Sequence, residues 1–423
     1  MRVKIEPSCV SGSIKIPPSK SMAHRAIICA SLAQGKSIIS NIQLSKDIEA
    51  TIACMRAFGA SIEIQGFQCI IKGCNPLHRD HKIICPCDES GSTLRFLMPL
   101  ATTSHYPAQF LGQGRLLERP MDIYQRIFSQ QNISYIQDSH SIQIQGTLKP
   151  DTFIIPGDIS SQFISGFLFV LPLLNQESTL IVQEPFQSAS YVQLTIDMLK
   201  TFGITIQEIN KNTYVIPGNQ RYQATSIPIE GDFSQMAFFG VLACLNQKLT
   251  CHGIKISSHQ GDQEIVSILQ QAGCLIQYDD QSISVSPTNP QALSIDIANC
   301  PDLGPILCVL ASFSQGTTKI LHAQRLRIKE SDRIEAMETE LKKWNVDIQS
   351  SWDTITIHGK PSYRNQGITH IDGHNDHRII MAMTIFGLCA QTPSIIHGAQ
   401  AIQKSYPDFF KDIQSIHGNV TIL

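Results

Sequence analysis

Two kinds of hydrophobic pattern alternate along the chain. The first is apolar on nearly every side, as in STLRFLMPLA, SQFISGFLFVLPLL and HRIIMAMTIFGLC, and a helix without a polar face is typical of a protein interior. The second keeps apolar residues at helical spacing and then alternates polar and apolar residues after a turn, as in DIEATIACMRAFGASIEIQGFQCIIKG. That pattern predicts an amphipathic helix followed by a β-hairpin.

Both patterns recur six times, which indicates an internal repeat. Equivalent positions after the amphipathic helices are 70 to 73 residues apart: Phe58, Gln131, Phe202, Ala272, Trp344 and His417. The apolar helices are expected to begin near Ser21, Ser92, Ser161, Ser234, Asp302 and His377. We therefore predict six units of buried helix, strand, amphipathic helix and hairpin, the last one truncated by the end of the chain.

Each predicted buried helix begins with a polar cluster. Helix ends need partners for their N–H groups, and Ser, Asp or Gly there is an ordinary cap. Capping does not explain the bases Lys20 and Arg25 around the start of the first helix, or Arg95 and Arg378 in similar places. The dipole already makes that end of a helix positive. We therefore expect these ends to bind an anion together.

Further bases lie in the loops that enter the amphipathic helices. They are Arg115, Arg119, Arg325, Arg327, Lys329, Arg333 and Lys404. For Arg115 and Arg327, a solvated surface charge is an equally good interpretation.

Two carboxylates lie among these bases, and each has two interpretations. Asp302 is either a helix cap or a base, and Glu330 is either half of a local ion pair or a catalytic group. A carboxylate surrounded by cations has a lowered pKa and stays ionised, which suits a base.

Composition narrows the classes of function. The 423 residues carry a net charge of −2 and are 42% hydrophobic, which indicates a globular protein of two or three domains without a basic field for nucleic acid. The longest apolar stretch, 163–174, is too short to span a membrane, and the first residues lack a signal-peptide core. Thirteen cysteines without disulfide-like spacing favour a reduced, cytoplasmic protein, and we expect no metal site. The local bases predict a small polyanionic ligand.

Eight motifs occur in order along the whole chain: PPSKSMAHR, ESGSTLR, LLERPM, DISSQF, PDLGPI, RIKESDRIEAM, NDHRIIMAM and QKSYPDFF. Together they resemble the EPSP synthase (3-phosphoshikimate 1-carboxyvinyltransferase) family of enolpyruvyl transferases. The resemblance implies an α/β fold, a two-domain inside-out α/β barrel of six βαβαββ repeats, three per domain. It implies one domain from 1–17 plus 231–423 and another from 18–230, with the buried helices pointing their N-termini at the active-site cleft between them.

The resemblance also implies a reaction. The enolpyruvyl group of phosphoenolpyruvate passes to the 5-hydroxyl of shikimate 3-phosphate through a tetrahedral intermediate, and phosphate leaves. The family needs no metal or organic cofactor, and its default state is a monomer. The two substrates together carry about −5 to −6 of charge, counting about −1.5 to −2 per phosphate. That charge would offset Lys20 and Arg25.

Site residues follow from the same resemblance. The expected ligands of phosphoenolpyruvate are Lys20, Gly91, Arg119, Arg333, Arg378 and Lys404. The expected ligands of shikimate 3-phosphate are Lys20, Ser21, Arg25, Ser160, Ser161, Gln162, Ser188, Tyr191, Asp302, Arg325 and Lys329. Asp302 is the expected base for the 5-hydroxyl. Glu330, together with Lys20, is expected to carry the proton of the methylene carbon.

Some positions depart from the commonest family pattern. Glu89 and Ser90 replace Asn-Ala, Asp88 stands where Gly is frequent, and Phe96 replaces a proline found in some members. Gly91 is retained where herbicide-insensitive relatives carry Ala, which predicts inhibition by glyphosate at the phosphoenolpyruvate subsite.

Two alternatives remain. One is the sister transferase acting on UDP-N-acetylglucosamine, although the loop GQGRLLERPM lacks the cysteine which that family uses. The other is a non-catalytic anion-binding relative, which the presence of Asp302, Glu330 and Lys20 disfavours.

Overall fold

The structure is a computed structural model that describes all residues, 1–423, and it divides into two compact units. The first unit comprises Met1–Pro17 and Glu230–Leu423, and the second comprises Pro18–Ile229. The second unit ends one residue before the predicted boundary. Glu230 belongs to the first unit because its carboxylate accepts hydrogen bonds from Ser258 and Gln260, both residues of that unit.

Twelve α-helices are present: α1 (Lys20–Leu32), α2 (Lys46–Ala57), α3 (Gly91–Ala101), α4 (Asp122–Gln130), α5 (Ser161–Val170), α6 (Ala189–Thr201), α7 (Phe233–Leu245), α8 (Glu264–Gln271), α9 (Gly304–Phe313), α10 (Arg333–Lys342), α11 (His377–Cys389) and α12 (Phe409–Ser415).

The strands are β1 (Arg2–Glu6), β2 (Gly12–Lys15), β3 (Lys36–Ser40), β4 (Ser61–Gln65), β5 (Gln68–Lys72), β6 (Ile83–Pro86), β7 (Ala108–Leu111), β8 (Ser134–Gln137), β9 (Ser141–Gln145), β10 (Thr152–Pro156), β11 (Ser178–Gln183), β12 (Gln207–Asn210), β13 (Thr213–Ile216), β14 (Ser226–Pro228), β15 (Leu249–His252), β16 (Ile276–Asp279), β17 (Ser282–Val285), β18 (Ser294–Asp296), β19 (Gly316–Leu321), β20 (Asp347–Ser350), β21 (Ile355–Gly359), β22 (Thr369–Asp372), β23 (Ser394–His397) and β24 (Asn419–Ile422).

These strands form six four-stranded sheets with one shared topology. In the second unit the orders are β14-β3-β5-β4, β6-β7-β9-β8 and β10-β11-β13-β12. In the first unit they are β2-β15-β17-β16, β18-β19-β21-β20 and β22-β23-β1-β24. The first two strands of every sheet are parallel and the remaining pairs are antiparallel. The predicted βαβαββ repeat, with three copies in each unit, is confirmed.

Three sheets take a strand from a distant part of the chain. Strand β1 pairs with β23 and β24, so the sixth repeat is a full repeat and the prediction of a truncated one is wrong. Strand β2 pairs with β15, and β14 pairs with β3. The hydrophobic pattern alone missed these strands because β2 and β14 are far in sequence from the helices that they precede in the repeat, and β1 is far from β24, its hairpin partner.

Each unit has its own core, built on its three apolar helices. In the second unit these are α1, α3 and α5, and in the first they are α7, α9 and α11. All of α7 from Phe233 to Cys244 is buried, as its lack of a polar face predicts. No helix is long and apolar enough to cross a membrane.

The apolar helices begin within two residues of their predicted starts. The largest difference is in the fifth repeat, where a 3₁₀ turn, Pro301–Leu303, precedes α9. Asp302 therefore lies inside this turn, two residues before the helix, and its side chain caps neither the turn nor α9. The interpretation of Asp302 as a helix cap is wrong.

Candidate active site

Asp302 lies at the centre of a charged cluster in the first unit. Its Oδ1 accepts hydrogen bonds from Lys329 Nζ at 3.3 Å and from Arg333 Nη1 at 3.1 Å. Its Oδ2 accepts from Arg378 Nη2 at 3.0 Å, and Arg378 Nη1 also donates to the Asp302 carbonyl oxygen at 3.1 Å. The Asp302 side chain keeps 24% of its surface exposed. Since a carboxylate has about four lone-pair sites, roughly one remains for a ligand.

Arg333 joins Asp302 to two further carboxylates. Nη2 donates to Glu330 Oε2 at 2.7 Å, and Nε donates to Asp376 Oδ2 at 2.8 Å. The Arg333 side chain is 2% exposed, and that of Asp376 is fully buried. Asp376 also accepts from the Ser331 hydroxyl at 3.0 Å. The local ion pair considered for Glu330 therefore exists, and it places Glu330 on the same guanidinium that holds Asp302.

The charges of this cluster set its protonation. Burial raises the pKa of Asp302, but Arg378, Lys329 and Arg333 outweigh burial and hold it well below its usual range. Burial also raises the pKa of Asp376, and Arg333 outweighs that effect, so this pKa is lowered as well. Burial lowers the pKa of Lys329 to about 8, although Asp302 opposes the shift. Asp302 is therefore an ionised acceptor at neutral pH.

Two other expected ligands belong to the first unit. Lys404 lies at the end of a 3₁₀ turn, Ala399–Lys404, is buried, and donates from Nζ to the carbonyl oxygen of Asn375 at 2.6 Å. Arg325 is buried in the 3₁₀ turn Gln324–Ile328 that leads to Lys329. The first unit therefore supplies Asp302, Arg325, Lys329, Glu330, Arg333, Arg378 and Lys404.

Lys20 begins α1 in the second unit, and a carboxylate of the protein compensates it. Its Nζ donates to Asp47 Oδ2 at 2.6 Å, and the two side chains are 18% and 11% exposed. Asp47 lies in the first turn of α2, where a carboxylate is favourable to the helix dipole. Asp47 therefore supplies part of the negative charge that was predicted to offset Lys20.

Arg25 is buried on the same helix one turn later. Nε donates to Thr195 Oγ1 at 2.8 Å, Nη1 to the Ser21 carbonyl at 2.7 Å and Nη2 to the Tyr191 carbonyl at 2.9 Å. Its guanidinium lies over the Phe96 ring, 5.0 Å from the centroid. Burial lowers the pKa of Arg25 to about 10, so the group stays charged at neutral pH.

Gly91, the first residue of α3, lies against Arg119. A Cβ added to Gly91 would be 2.6 Å from Arg119 Nη1 and 3.4 Å from Arg95 Nη1. Arg95 donates to Gln162 Oε1 at 2.9 Å, and Gln162 Nε2 donates to Ser92 Oγ at 2.9 Å. The starts of α3 and α5 are therefore joined by side-chain hydrogen bonds beside Arg119.

The remaining expected ligands lie at the starts of α5 and α6. Ser160 caps α5 through its hydroxyl, which accepts from the Gln162 N–H at 3.3 Å, and Ser161 is the first residue of that helix. Ser188 precedes α6 with a left-handed backbone, φ 55°. Tyr191 is in the first turn of α6, and its carbonyl holds Arg25. The second unit therefore supplies Lys20, Ser21, Arg25, Gly91, Arg119, Ser160, Ser161, Gln162, Ser188 and Tyr191.

A buried chain of hydroxyl groups supports the starts of three helices in the second unit. His24 Nδ1 lies 2.7 Å from Thr51 Oγ1, which lies 2.7 Å from Thr93 Oγ1. Thr93 Oγ1 donates to Ser90 Oγ at 2.7 Å, and Ser90 caps α3 by accepting the Thr93 N–H. The chain links α1, α2 and α3 within one turn of Lys20, Asp47 and Gly91.

Sequence reasoning missed the residues that hold the expected ligands. Asp47, Thr195 and Asp376 each fix a lysine or arginine of the site. Asp376 directly precedes the predicted start of the sixth apolar helix, where an acid is an ordinary cap. No short motif identifies such partners, because they come from other helices, but three bases around one carboxylate imply that further acids balance them.

Glu89 lies beside the loop that carries Arg119. A Cβ added to Gly114, whose φ is +54°, would lie 2.6 Å from Glu89 Oε2. Gln113 N–H donates to the Asp88 carbonyl at 2.7 Å. Asp88 and Glu89, which depart from the common family pattern, thus lie where the segment before α3 approaches this loop closely.

The sequence matches a family model and curated proteins over nearly its whole length. The family model described as EPSP synthase (3-phosphoshikimate 1-carboxyvinyltransferase) matches residues 5–413. A 3-phosphoshikimate 1-carboxyvinyltransferase from Clostridium kluyveri is 42% identical over 420 residues, which cover 99% of this chain and 98% of that protein. One from Clostridium acetobutylicum is 43% identical over 423 residues, with the same coverage.

Solved structures show the same fold. An EPSP synthase from Acinetobacter baumannii superposes with a TM-score of 0.81 at 23% identity, covering 100% of both chains. An enolpyruvyl transferase from Streptomyces tendae superposes with a TM-score of 0.79 at 13% identity, covering 99% of this chain and 98% of the other. From the length of the family match and the identity to its curated members, the chain belongs to the EPSP synthase (3-phosphoshikimate 1-carboxyvinyltransferase) family.

Proposed function

We propose that this chain transfers the enolpyruvyl group of phosphoenolpyruvate to the 5-hydroxyl of 3-phosphoshikimate and releases phosphate. The observation that carries the proposal is the cluster around Asp302, where one ionised carboxylate, a second carboxylate and three cations share direct hydrogen bonds. The chemistry needs a proton acceptor, a proton donor and cations for anionic substrates, and this cluster contains all three.

The first step is an addition. Asp302 accepts the proton of the 5-hydroxyl as its oxygen attacks C2 of phosphoenolpyruvate. Glu330, together with Lys20, carries a proton to C3, so the double bond becomes a methyl group. The product of this step is a tetrahedral ketal that carries the phosphate, and Arg333 and Arg378 offset its negative charge.

The second step is an elimination. The C–O bond to phosphate breaks, and the leaving phosphate takes the proton that Asp302 accepted in the first step. The methyl group returns one proton to the group that supplied it, and the double bond re-forms. The products are the enolpyruvyl ether and inorganic phosphate, so atoms and charge balance without a redox step.

The binding roles follow the charges. We propose Lys20, Gly91, Arg119, Arg333, Arg378 and Lys404 for phosphoenolpyruvate. For 3-phosphoshikimate we propose Lys20, Ser21, Arg25, Ser160, Ser161, Gln162, Ser188, Tyr191, Asp302, Arg325 and Lys329. Each set contains residues of both units. Glyphosate is proposed to compete with phosphoenolpyruvate.

Phosphate release by the purified protein tests the function. We expect release from phosphoenolpyruvate only when 3-phosphoshikimate is also present, and we expect Asp302→Ala to abolish it. Asp296→Ala is the matched control, because Asp296 is an exposed carboxylate of the same repeat that pairs with His322. Release with UDP-N-acetylglucosamine in place of 3-phosphoshikimate would overturn the proposed substrate. If no phosphate is released with either acceptor, the proposed transferase activity is wrong.

A further inference from the structure

Arg327 is fixed by three hydrogen bonds, although its sequence context allowed a solvated surface charge. Nε donates to the Trp352 carbonyl at 2.9 Å, Nη2 donates to the Ser351 carbonyl, and Nη1 donates to Asp332 Oδ2 at 2.8 Å. The guanidinium also lies over the Trp352 ring, 5.3 Å from its centroid. The side chain is 18% exposed. The other ambiguous base, Arg115, is 49% exposed and pairs with Glu118, as a surface charge does.

Asp332 connects Arg327 to a helix. Its Oδ1 accepts the backbone N–H groups of Ile334 at 3.1 Å and Glu335 at 3.0 Å, so it caps α10. Its Oδ2 accepts from Arg327. One carboxylate thus joins the first turn of α10 to Arg327, and Arg327 joins both to the turn between β20 and β21.

The Arg327–Asp332 bond closes a short loop that carries three groups of the charged cluster. Lys329 Nζ reaches Asp302 at 3.3 Å, Glu330 Oε2 accepts from Arg333 at 2.7 Å, and Ser331 Oγ reaches Asp376 at 3.0 Å. These three residues are consecutive and lie between the two ends of the bond. The direction of their side chains therefore depends on the path of a backbone segment held at both ends.

We propose that Arg327 is a positioning residue that clamps the Lys329–Ser331 loop and so places Glu330 and Lys329 against the cluster around Asp302. This inference rests on the proposed function, since its readout is carboxyvinyl transfer. Arg327 forms its hydrogen bonds with Trp352, Ser351 and Asp332, none of which is a proposed substrate ligand, and it acts through Asp332 and the turn at Trp352.

The clamp needs a guanidinium. Its planar fork donates to two carbonyl oxygens and one carboxylate at once and stacks on an aromatic ring. A lysine at this position keeps the charge but can satisfy only part of this set, and a methionine keeps the length without charge or donors. Arg327→Lys should therefore fall between the wild type and Arg327→Met.

The test measures kcat and KM for both substrates in Arg327→Met, Arg327→Lys, Asp332→Asn and the Arg327→Met/Asp332→Asn double variant. Asparagine still caps a helix well, so Asp332→Asn removes mainly the charge that faces Arg327. We expect Arg327→Met to lower kcat and to raise KM for 3-phosphoshikimate, with kcat/KM reduced about 10- to 100-fold. The kcat/KM of the double variant should lie within about twofold of the poorer single variant, because both changes break the same Arg327–Asp332 bond.

Matched controls separate positioning from folding. Lys342→Met removes an exposed ion pair with Glu338 from the same helix, and it should leave both constants unchanged. Active-site titration in a single turnover gives the folded fraction of each variant. If Arg327→Met matches the wild type, or if its loss equals the loss of folded sites with KM unchanged, the clamp is refuted. A wild type without phosphate release would instead refute the proposed function.

Discussion

Asp376 accepts the Nε–H of Arg333 at 2.8 Å, and neither side chain is more than 2% exposed. The same carboxylate accepts the backbone N–H of Arg378 at 2.9 Å, which caps α11. One buried acid therefore orients two arginines that meet at Asp302: Arg333 directly, and Arg378 through the start of its helix.

Replacing Asp376 should reveal this double role. Asp376→Asn keeps an oxygen for the cap but leaves the buried Arg333 charge without its main partner. Removing one member of a buried ion pair costs about 3–5 kcal/mol, so we expect a loss of that size in the free energy of unfolding at pH 7, measured in urea. The lowered pKa of Asp376 means that its stabilisation is present above the ordinary value of 3.8 and is lost as pH falls below it. The difference in the free energy of unfolding between wild type and variant should therefore shrink in acid. A difference that stays constant from pH 7 to pH 3 would contradict the pairing.

Gly91→Ala should affect one substrate more than the other. The new Cβ would lie 2.6 Å from Arg119 Nη1, a contact that the long arginine side chain can relieve only by moving. We expect KM for phosphoenolpyruvate to rise about tenfold, equivalent to about 1.4 kcal/mol, and inhibition by glyphosate to weaken. Stability should not fall, because alanine is favourable in a helix. An equal change in KM for 3-phosphoshikimate would show that the effect is not confined to this subsite.

Thr93→Val should interrupt the buried hydroxyl chain without changing side-chain shape. The substitution leaves the hydroxyls of Ser90 and Thr51 short of a partner, at a cost of about 1–3 kcal/mol in the free energy of unfolding. Since Ser90 caps α3, we also expect a higher KM for phosphoenolpyruvate. Thr102→Val is the matched control, because Thr102 is buried at the other end of α3 and its hydroxyl donates to the Pro99 carbonyl within the same turn. Equal effects from both variants would argue against a role for the chain in the site.

The alkaline limb of activity should report Lys329. Its pKa is lowered by burial to about 8, with Asp302 and Glu330 opposing the shift and Arg325 and Arg333 adding to it. Above that pH the ammonium loses its charge, so KM for 3-phosphoshikimate should rise. Arg stays charged, and Lys329→Arg should therefore remove the rise. If KM for 3-phosphoshikimate still rises in Lys329→Arg with the same midpoint pH, the titrating group is not Lys329.

The repeat was predictable because its buried helices are apolar on nearly every side, which is visible in the sequence. A helix such as α7 has no polar face, and its copies return at a regular spacing, so six units and their helix starts could be predicted without a structure. The strands β1, β2 and β14 could not be placed from that pattern, since short strands carry little signal and their partners lie far along the chain.

The charged site was predictable in its cations and less so in its acids. Basic residues at helix starts are unusual, which made Lys20 and Arg378 conspicuous. Asp47 and Asp376 look like ordinary residues of a first helical turn, and only the fold brings them to Lys20 and Arg333. Asp302 was ambiguous for the same reason, and the 3₁₀ turn before α9 decided against a cap.

The placement of β1 and β2 has a consequence for synthesis on the ribosome. The second unit is one continuous segment and has its last strand once Pro228 has been made. Strands β1 and β2 have no partner while the second unit is being made, because β2 pairs with β15 and β1 pairs with β23 and β24. Contacts of such long sequence separation form slowly. The second unit is therefore expected to fold first, with β2 unpaired until β15 is made and β1 unpaired until β23 and β24 are made.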